Sequence, residues 1–150
     1  MTVMNYAIRN RSESPETADN KAVMKLRGGA ETVLIVEDEE SILNLSKEML
    51  EMLGYKVLAV NETDQALRLA REYNGNIDLL LTDVMMPGMN GKELSDRIIA
   101  FKPGLKRLYM SGYTSDVIAR QGILEEGIQF IPKPFSFTDL ASKVRETLGY

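Results

Sequence analysis

The feature that most constrains this chain is a regular alternation, from Thr32 to Leu148, of short apolar runs with helix-patterned segments. Residues 33–36, 56–60, 79–83, 105–110 and 127–131 are strand-length runs, too short to cross a membrane. Each is followed by a segment of helical spacing. The first helix is expected over 41–53, with Ile42, Leu45, Met49, Met52 and Leu53 apolar and Gly54 closing it. The second runs through Ala66, Leu67 and Ala70, with Asn61 or Thr63 as cap. The third spans 92–101, with Leu94, Ile98 and Ile99 inward. A shorter fourth starts at Ser115 or Asp116, and the last spans 136–148, with Leu140, Val144 and Leu148 inward. Ser136 and Asp139 form a capping arrangement there. Short connections between strand and helix require right-handed crossovers. The expected fold is α/β: a doubly wound five-stranded parallel sheet of order 2-1-3-4-5, with helices on both faces.

Residues 1–30 differ from the rest. They are polar, mixed in charge and without period, and Gly28-Gly29 closes them, so a flexible arm or linker is expected there and a folded domain over 31–150. The composition excludes several chemistries. There is no cysteine, which removes disulfides and thiolate chemistry. There is no histidine, which removes Ser-His-Asp catalysis, His-ligated zinc and any phosphohistidine on this chain. A net charge of −4 argues against a nucleic-acid surface. With no transmembrane stretch and no signal peptide, the expected location is the cytoplasm, with no membrane partner.

The carboxyl ends of the strands carry the chemistry. Glu37 and Asp38 follow the first, Asp83 ends the third, Ser111 ends the fourth and Lys133 follows the fifth. Asp83 sits before the turn-forming cluster Pro87, Gly88, Asn90 and Gly91. In the expected strand order these residues meet at one edge, beside the switch point between the first and third strands. Three close carboxylates repel one another unless a cation is present. An all-oxygen ligand set suits a hard divalent cation such as Mg²⁺. Lys133 and Ser111 add a positive charge and a hydroxyl, a layout suited to a phosphoryl group.

The stretches Val33-Leu-Ile-Val-Glu-Asp-Glu39, Leu81-Thr-Asp-Val-Met-Met-Pro-Gly-Met-Asn-Gly91, Tyr109-Met-Ser-Gly-Tyr113 and Phe130-Ile-Pro-Lys-Pro-Phe135 resemble the receiver domain of two-component response regulators. In style they are similar to receivers of hybrid sensor histidine kinases. The resemblance implies the flavodoxin-like receiver fold, with Asp83 as phosphoacceptor and Glu37 and Asp38 as the acidic pair. Mg²⁺ would be held by Glu37, Asp38, Asp83 and the backbone carbonyl of Met85. Ser111 would be the switch hydroxyl, Phe130 the switch aromatic and Lys133 the phosphoryl-stabilising lysine. Glu37, Ser111 and Phe130 are mild departures, where the family more often has Asp, Thr, and Tyr or His. The implied function is Mg²⁺-dependent transfer of a phosphoryl group from a phosphohistidine donor to Asp83. That transfer switches the face formed by the fourth and fifth strands and the helices after them. The implied partners are a sensor histidine kinase or phosphotransfer protein as donor and a protein for output, with a homodimer on activation. Such a domain catalyses its own phosphorylation and dephosphorylation and is no turnover enzyme unless part of a hybrid histidine kinase.

Two other readings share the fold or the chemistry. A flavodoxin-like ligand-binding module needs a hydroxyl- and glycine-rich first loop, where Glu37-Asp38-Glu39 would repel a flavin phosphate. An aspartyl-phosphate phosphatase has Asp-x-Asp at its nucleophile, but Asp83-Val-Met85 lacks the second acid. Met85 and Tyr113 flank the expected site. Neither can orient an attacking water, so a long-lived aspartyl phosphate is expected.

Overall fold

A computed structural model of the chain describes residues 27–112 and 129–149. Its elements are β1 (Thr32–Val36), α1 (Glu40–Met52), β2 (Lys56–Val60), α2 (Thr63–Glu72), β3 (Leu79–Asp83), α3 (Gly91–Ile99), β4 (Lys106–Ser111), β5 (Gln129–Pro132) and α4 (Phe137–Leu148). The five strands form one parallel sheet in the order β2-β1-β3-β4-β5, as expected. The expected helix from Ser115 or Asp116, Gly127 at the start of the fifth run, Tyr113 and residues 1–26 lie outside the described residues.

Strand alternation sorts the apolar runs into two cores. Val33, Ile35, Leu79, Leu81, Leu108, Met110 and Ile131 face one side, against Leu43 and Leu50 of α1 and Leu140 and Val144 of α4. Leu34, Val36 and Leu80 face the other, against Ala66 and Ala70 of α2 and Leu94 and Ile98 of α3. Both faces of β1 and β3 are therefore covered, which is why their sequences are continuous apolar runs. Each such leucine contributes on the order of 1.5–3 kcal/mol by leaving water. That is ample to fix a register in which a one-residue slip would exchange the two cores.

Helix ends follow their local chemistry. Asn90 caps α3 by accepting from the Glu93 N–H at 2.8 Å, while Glu93 accepts from the Asn90 N–H at 3.3 Å. Ser136 and Asp139 make the same reciprocal pair on α4, as expected. The expected cap of α2 is not formed: Glu62 takes the N-cap position without a side-chain bond, and Thr63 is already the first helical residue. The face of α1 also differs from expectation. Leu43, Ser46 and Leu50 are buried and the expected Met49 and Leu53 pack partly buried against the same core, while Leu45 and Met52 are exposed at 49% and 69%. Both stripes have helical spacing, and the rotation of α1 against β1 selects Leu43 and Leu50.

The amino edge of the sheet is closed by one side chain. Arg145 of α4 donates to Glu31 at 2.6 and 3.3 Å, to the Gly28 carbonyl at 3.0 Å and to the Gly149 carbonyl at 2.9 and 3.1 Å. The Gly29 N–H donates to the Leu53 carbonyl at 3.2 Å. A Cβ at Gly28 would overlap that same carbonyl, so the chain enters the fold through a passage only glycine fits.

Candidate functional site

Parallel strands with crossover helices bring several loops to the carboxyl edge of the sheet, and the site is built from four of them. β1 delivers Glu37 and Asp38, β3 delivers Asp83, β4 delivers Ser111, and the turn after β5 delivers Lys133. α3 must start immediately after the β3 loop. Its Gly91 N–H donates to the Val84 carbonyl at 2.8 Å. A Cβ at Gly91 would overlap the backbone carbonyl of Asp83. This glycine therefore lets the helix approach the residue at the centre of the site.

Lys133 bridges two carboxylates. Its Nζ lies 2.8 Å from Glu37 Oε1 and 3.3 Å from Asp83 Oδ2. The other oxygen of Glu37 accepts from the Glu39 N–H at 3.0 Å. Glu37 is fully buried, Asp83 is 8% exposed and Asp38 is exposed. One carboxylate oxygen from each of the three lies within 4.8 Å of the others. Three acids against one ammonium leave an excess of negative charge, and the donors are all oxygen. That set fits a hard divalent cation.

Ser111 is buried at the end of β4, and its carbonyl accepts from the Lys133 N–H at 2.7 Å. The Lys133–Pro134 peptide is cis. Phe130 is partly buried against Val84 and Tyr109, on the far side of the sheet from the first core. A cavity of about 550 Å³ opens beside Asp83. Asp38, Asp83 and Lys133 are polar members of its lining, and Ile42, Leu45, Met85 and Phe135 are apolar ones. Ser46 also lines it. This hydroxyl is buried and has no hydrogen-bond partner among the described residues. The cavity's apolar side was missed in the sequence because Ile42 and Leu45 read as core residues.

Burial pushes the Glu37 carboxyl up to about 7, against the opposing pull of Lys133 and the Glu39 N–H. Burial also disfavours the charge on Lys133, but Glu37 and Asp83 outweigh it and hold the ammonium above its ordinary range. Lys133 is thus a cation at neutral pH, and Glu37 is the group whose charge is marginal. The sign of the stability effect follows. Between the ordinary carboxyl value of 4.5 and about 7, the folded form binds the extra proton. Glu37 therefore contributes stability that is fully present below 4.5 and is lost as pH rises through 7. In chelator, the unfolding midpoint of the metal-free protein should fall over that window, and Glu37→Gln should flatten the fall. An equal slope in the variant would contradict the assignment.

A doubly wound sheet with an acidic, lysine-bridged pocket at its switch point defines an open α/β domain of the flavodoxin-like class, with its chemistry at the carboxyl edge. The family model described as the response regulator receiver domain matches residues 33–145, and the chain belongs to that family, part of two-component systems. It is 34% identical over 142 residues to the sensor kinase CckA of Brucella abortus (strain 2308), covering 93% of this chain and 15% of that protein. It is 32% identical over 118 residues to the transcriptional regulatory protein CpxR of Escherichia coli (strain K12), covering 77% of this chain and 48% of that one. Among solved structures, the receiver domain of the hybrid histidine kinase CckA matches with TM-score 0.67 and 33% identity, over 79% of this chain and 99% of that one. A CheY-like receiver domain protein from Methanospirillum hungatei JF-1 matches with TM-score 0.66 and 30% identity, over 80% and 94%. The chain spans less than half the length of either curated relative. Among the described residues, no helix is long and apolar enough to cross a membrane.

Proposed function

We propose that this chain accepts a phosphoryl group on Asp83 from a phosphohistidine of a sensor histidine kinase or phosphotransfer protein, and that the product changes what the β4–β5 face binds. The observation that carries this reading is Lys133 Nζ between Glu37 and Asp83, with Asp38 alongside. In the reaction an Asp83 carboxylate oxygen attacks phosphorus. A P–O bond forms, the donor's P–N bond breaks, and the imidazole leaves with its electron pair. Lys133 stabilises the phosphoryl oxygens and keeps Asp83 oriented by the 3.3 Å contact. Asp38 and Asp83, with Glu37 and the Met85 carbonyl, would hold a Mg²⁺ ion. When bound, that ion offsets charge on the incoming phosphoryl group.

The product adds about two negative charges and new acceptor oxygens beside Ser111. Ser111 donates to one of them, and Phe130 of β5, which pairs in register with Tyr109 two residues before Ser111, moves inward. The exposed or partly exposed Ile42, Leu45, Met85 and Phe135 offer the donor an apolar landing surface beside the nucleophile. Met85, which is 38% exposed, also screens the phosphoryl from water and lengthens its life.

Intact mass after acetyl phosphate and Mg²⁺ tests the central step: one added phosphoryl group supports it, and none overturns it. Ser111→Ala and Lys133→Ala test the switch. Both should hold Mg²⁺ within a few-fold of wild type, because neither is an oxygen ligand of the ion. Both should lose the spectral response to beryllofluoride. Loss of Mg²⁺ binding in either variant would reverse these roles.

A further inference from the structure

One buried hydrogen bond near the site takes no part in that chemistry. Tyr109 lies in β4 two residues before Ser111 and is fully buried. It pairs in register with Thr82 of β3 and with Phe130 of β5. Its ring packs with Val84, the residue after Asp83, and with Phe130. Its hydroxyl lies 2.7 Å from Ser95 Oγ in α3, in a buried contact. Ser95 gives its one proton to the Lys92 carbonyl at 2.9 Å, so Tyr109 is the donor of this bond and Ser95 the acceptor. Burial raises the Tyr109 phenol above its ordinary value, which keeps that proton in place at neutral pH. Arg107 reaches Asp96 of the same helix at 3.6 Å, but both side chains are substantially exposed and such pairs hold weakly. Among the described residues, the Tyr109–Ser95 bond is the buried side-chain link between β4 and α3. A break would cost the buried phenol its 2.7 Å partner.

We infer that Tyr109 is a positioning residue of the switch: fastened to Ser95 and packed against Phe130, it makes α3 move when Phe130 moves. Occupation of Asp83 is then reported on α3 as well as on the β4–β5 face. The inference rests on the proposed switch. Phe130 cannot turn inward without displacing the ring it packs on, and that ring is tied to α3. Elements joined by one buried, satisfied bond shift together rather than independently.

Amide NMR spectra of the full chain, with and without beryllofluoride and Mg²⁺, test this. The first turn of α3 is fastened to the β3 loop by Gly91, so the diagnostic signals are residues 95–99. In wild type, those amides and those of β5 should both shift. In Tyr109→Phe, which keeps the ring, the response at 95–99 should fall at least threefold while β5 still responds and Asp83 still accepts phosphoryl from acetyl phosphate. Ser95→Ala should do the same, the double variant no more, and Ser95→Thr should restore the response. A β5 response with an undiminished α3 response in both single variants overturns the inference alone. Absence of any β5 response in wild type overturns the proposed switch, and the inference with it.

Discussion

Asp83→Asn should carry no phosphoryl group after incubation with acetyl phosphate and Mg²⁺, where the wild-type chain should gain one. An amide oxygen bears no charge and is a poor nucleophile, so the acyl phosphate bond cannot form. The substitution is nearly isosteric. Lys133 keeps its 2.8 Å partner Glu37, so the fold and the lysine's position should persist. Intact mass reads the outcome directly, and a chelator should reduce wild-type labelling to the variant's level. The other carboxylates do not substitute: Glu37 is spent on Lys133 and the Glu39 N–H, and Asp38 lacks a contact with the lysine among the described residues. Labelling that persists in the Asn variant would mean another residue is the acceptor.

A large loss of stability is expected outside the apolar core, at Arg145. Arg145→Ala should destabilise the domain by about 2–3 kcal/mol, read as a shift in denaturant midpoint. The side chain is 11% exposed and serves Glu31, two backbone carbonyls and, at 3.5 Å, the Tyr55 hydroxyl. Truncation strands all of these at once. The loss stays below that of a fully buried ion pair because the Glu31 side chain is 30% exposed and regains part of its hydration. Glu31→Gln keeps a neutral acceptor for the guanidinium and should cost less, about 1 kcal/mol. Arg145→Lys should recover only part of the loss, since an ammonium cannot reproduce the planar fork. A change under about 0.5 kcal/mol for Arg145→Ala would mean the clamp adds nothing beyond a surface pair.

The sheet was legible in the sequence because burial on both faces leaves the same mark on every central strand. Val33 to Val36 and Leu79 to Leu81 can be little else. The strand-end residues were legible for a related reason: Asp83 and Ser111 stop apolar runs abruptly. The rotation of α1 was not. Ile42-Leu45-Met49-Met52 and Leu43-Leu50-Leu53 are both apolar stripes, and local periodicity does not say how far the helix turns between them: Met49 and Leu53 pack on the core, while Leu45 and Met52 stay exposed. That phase is set by the turn after β1, where Glu37 is drawn inward by Lys133, a partner 96 residues away. Arg145 was invisible for the same kind of reason. A basic residue in the last turn of a helix reads as a solvated charge near the helix dipole, and its partners lie 114 and 117 residues upstream. The Tyr109–Ser95 bond was equally hidden, because a tyrosine inside a strand gives no sign of what its hydroxyl meets.

The guanidinium of Arg145 also has a topological meaning. It touches Gly28, Glu31 and Gly149, so the incoming and outgoing chain leave the fold at one point. The path between them is nearly a closed ring with its opening at the amino edge of the sheet. A ring of that kind can be spliced into a host polypeptide without prising the host's flanks apart, and it tolerates being cut at a distant loop and rejoined across the opening. Asp83 lies at the opposite edge, so whatever is attached at the opening leaves the proposed phosphoryl site clear.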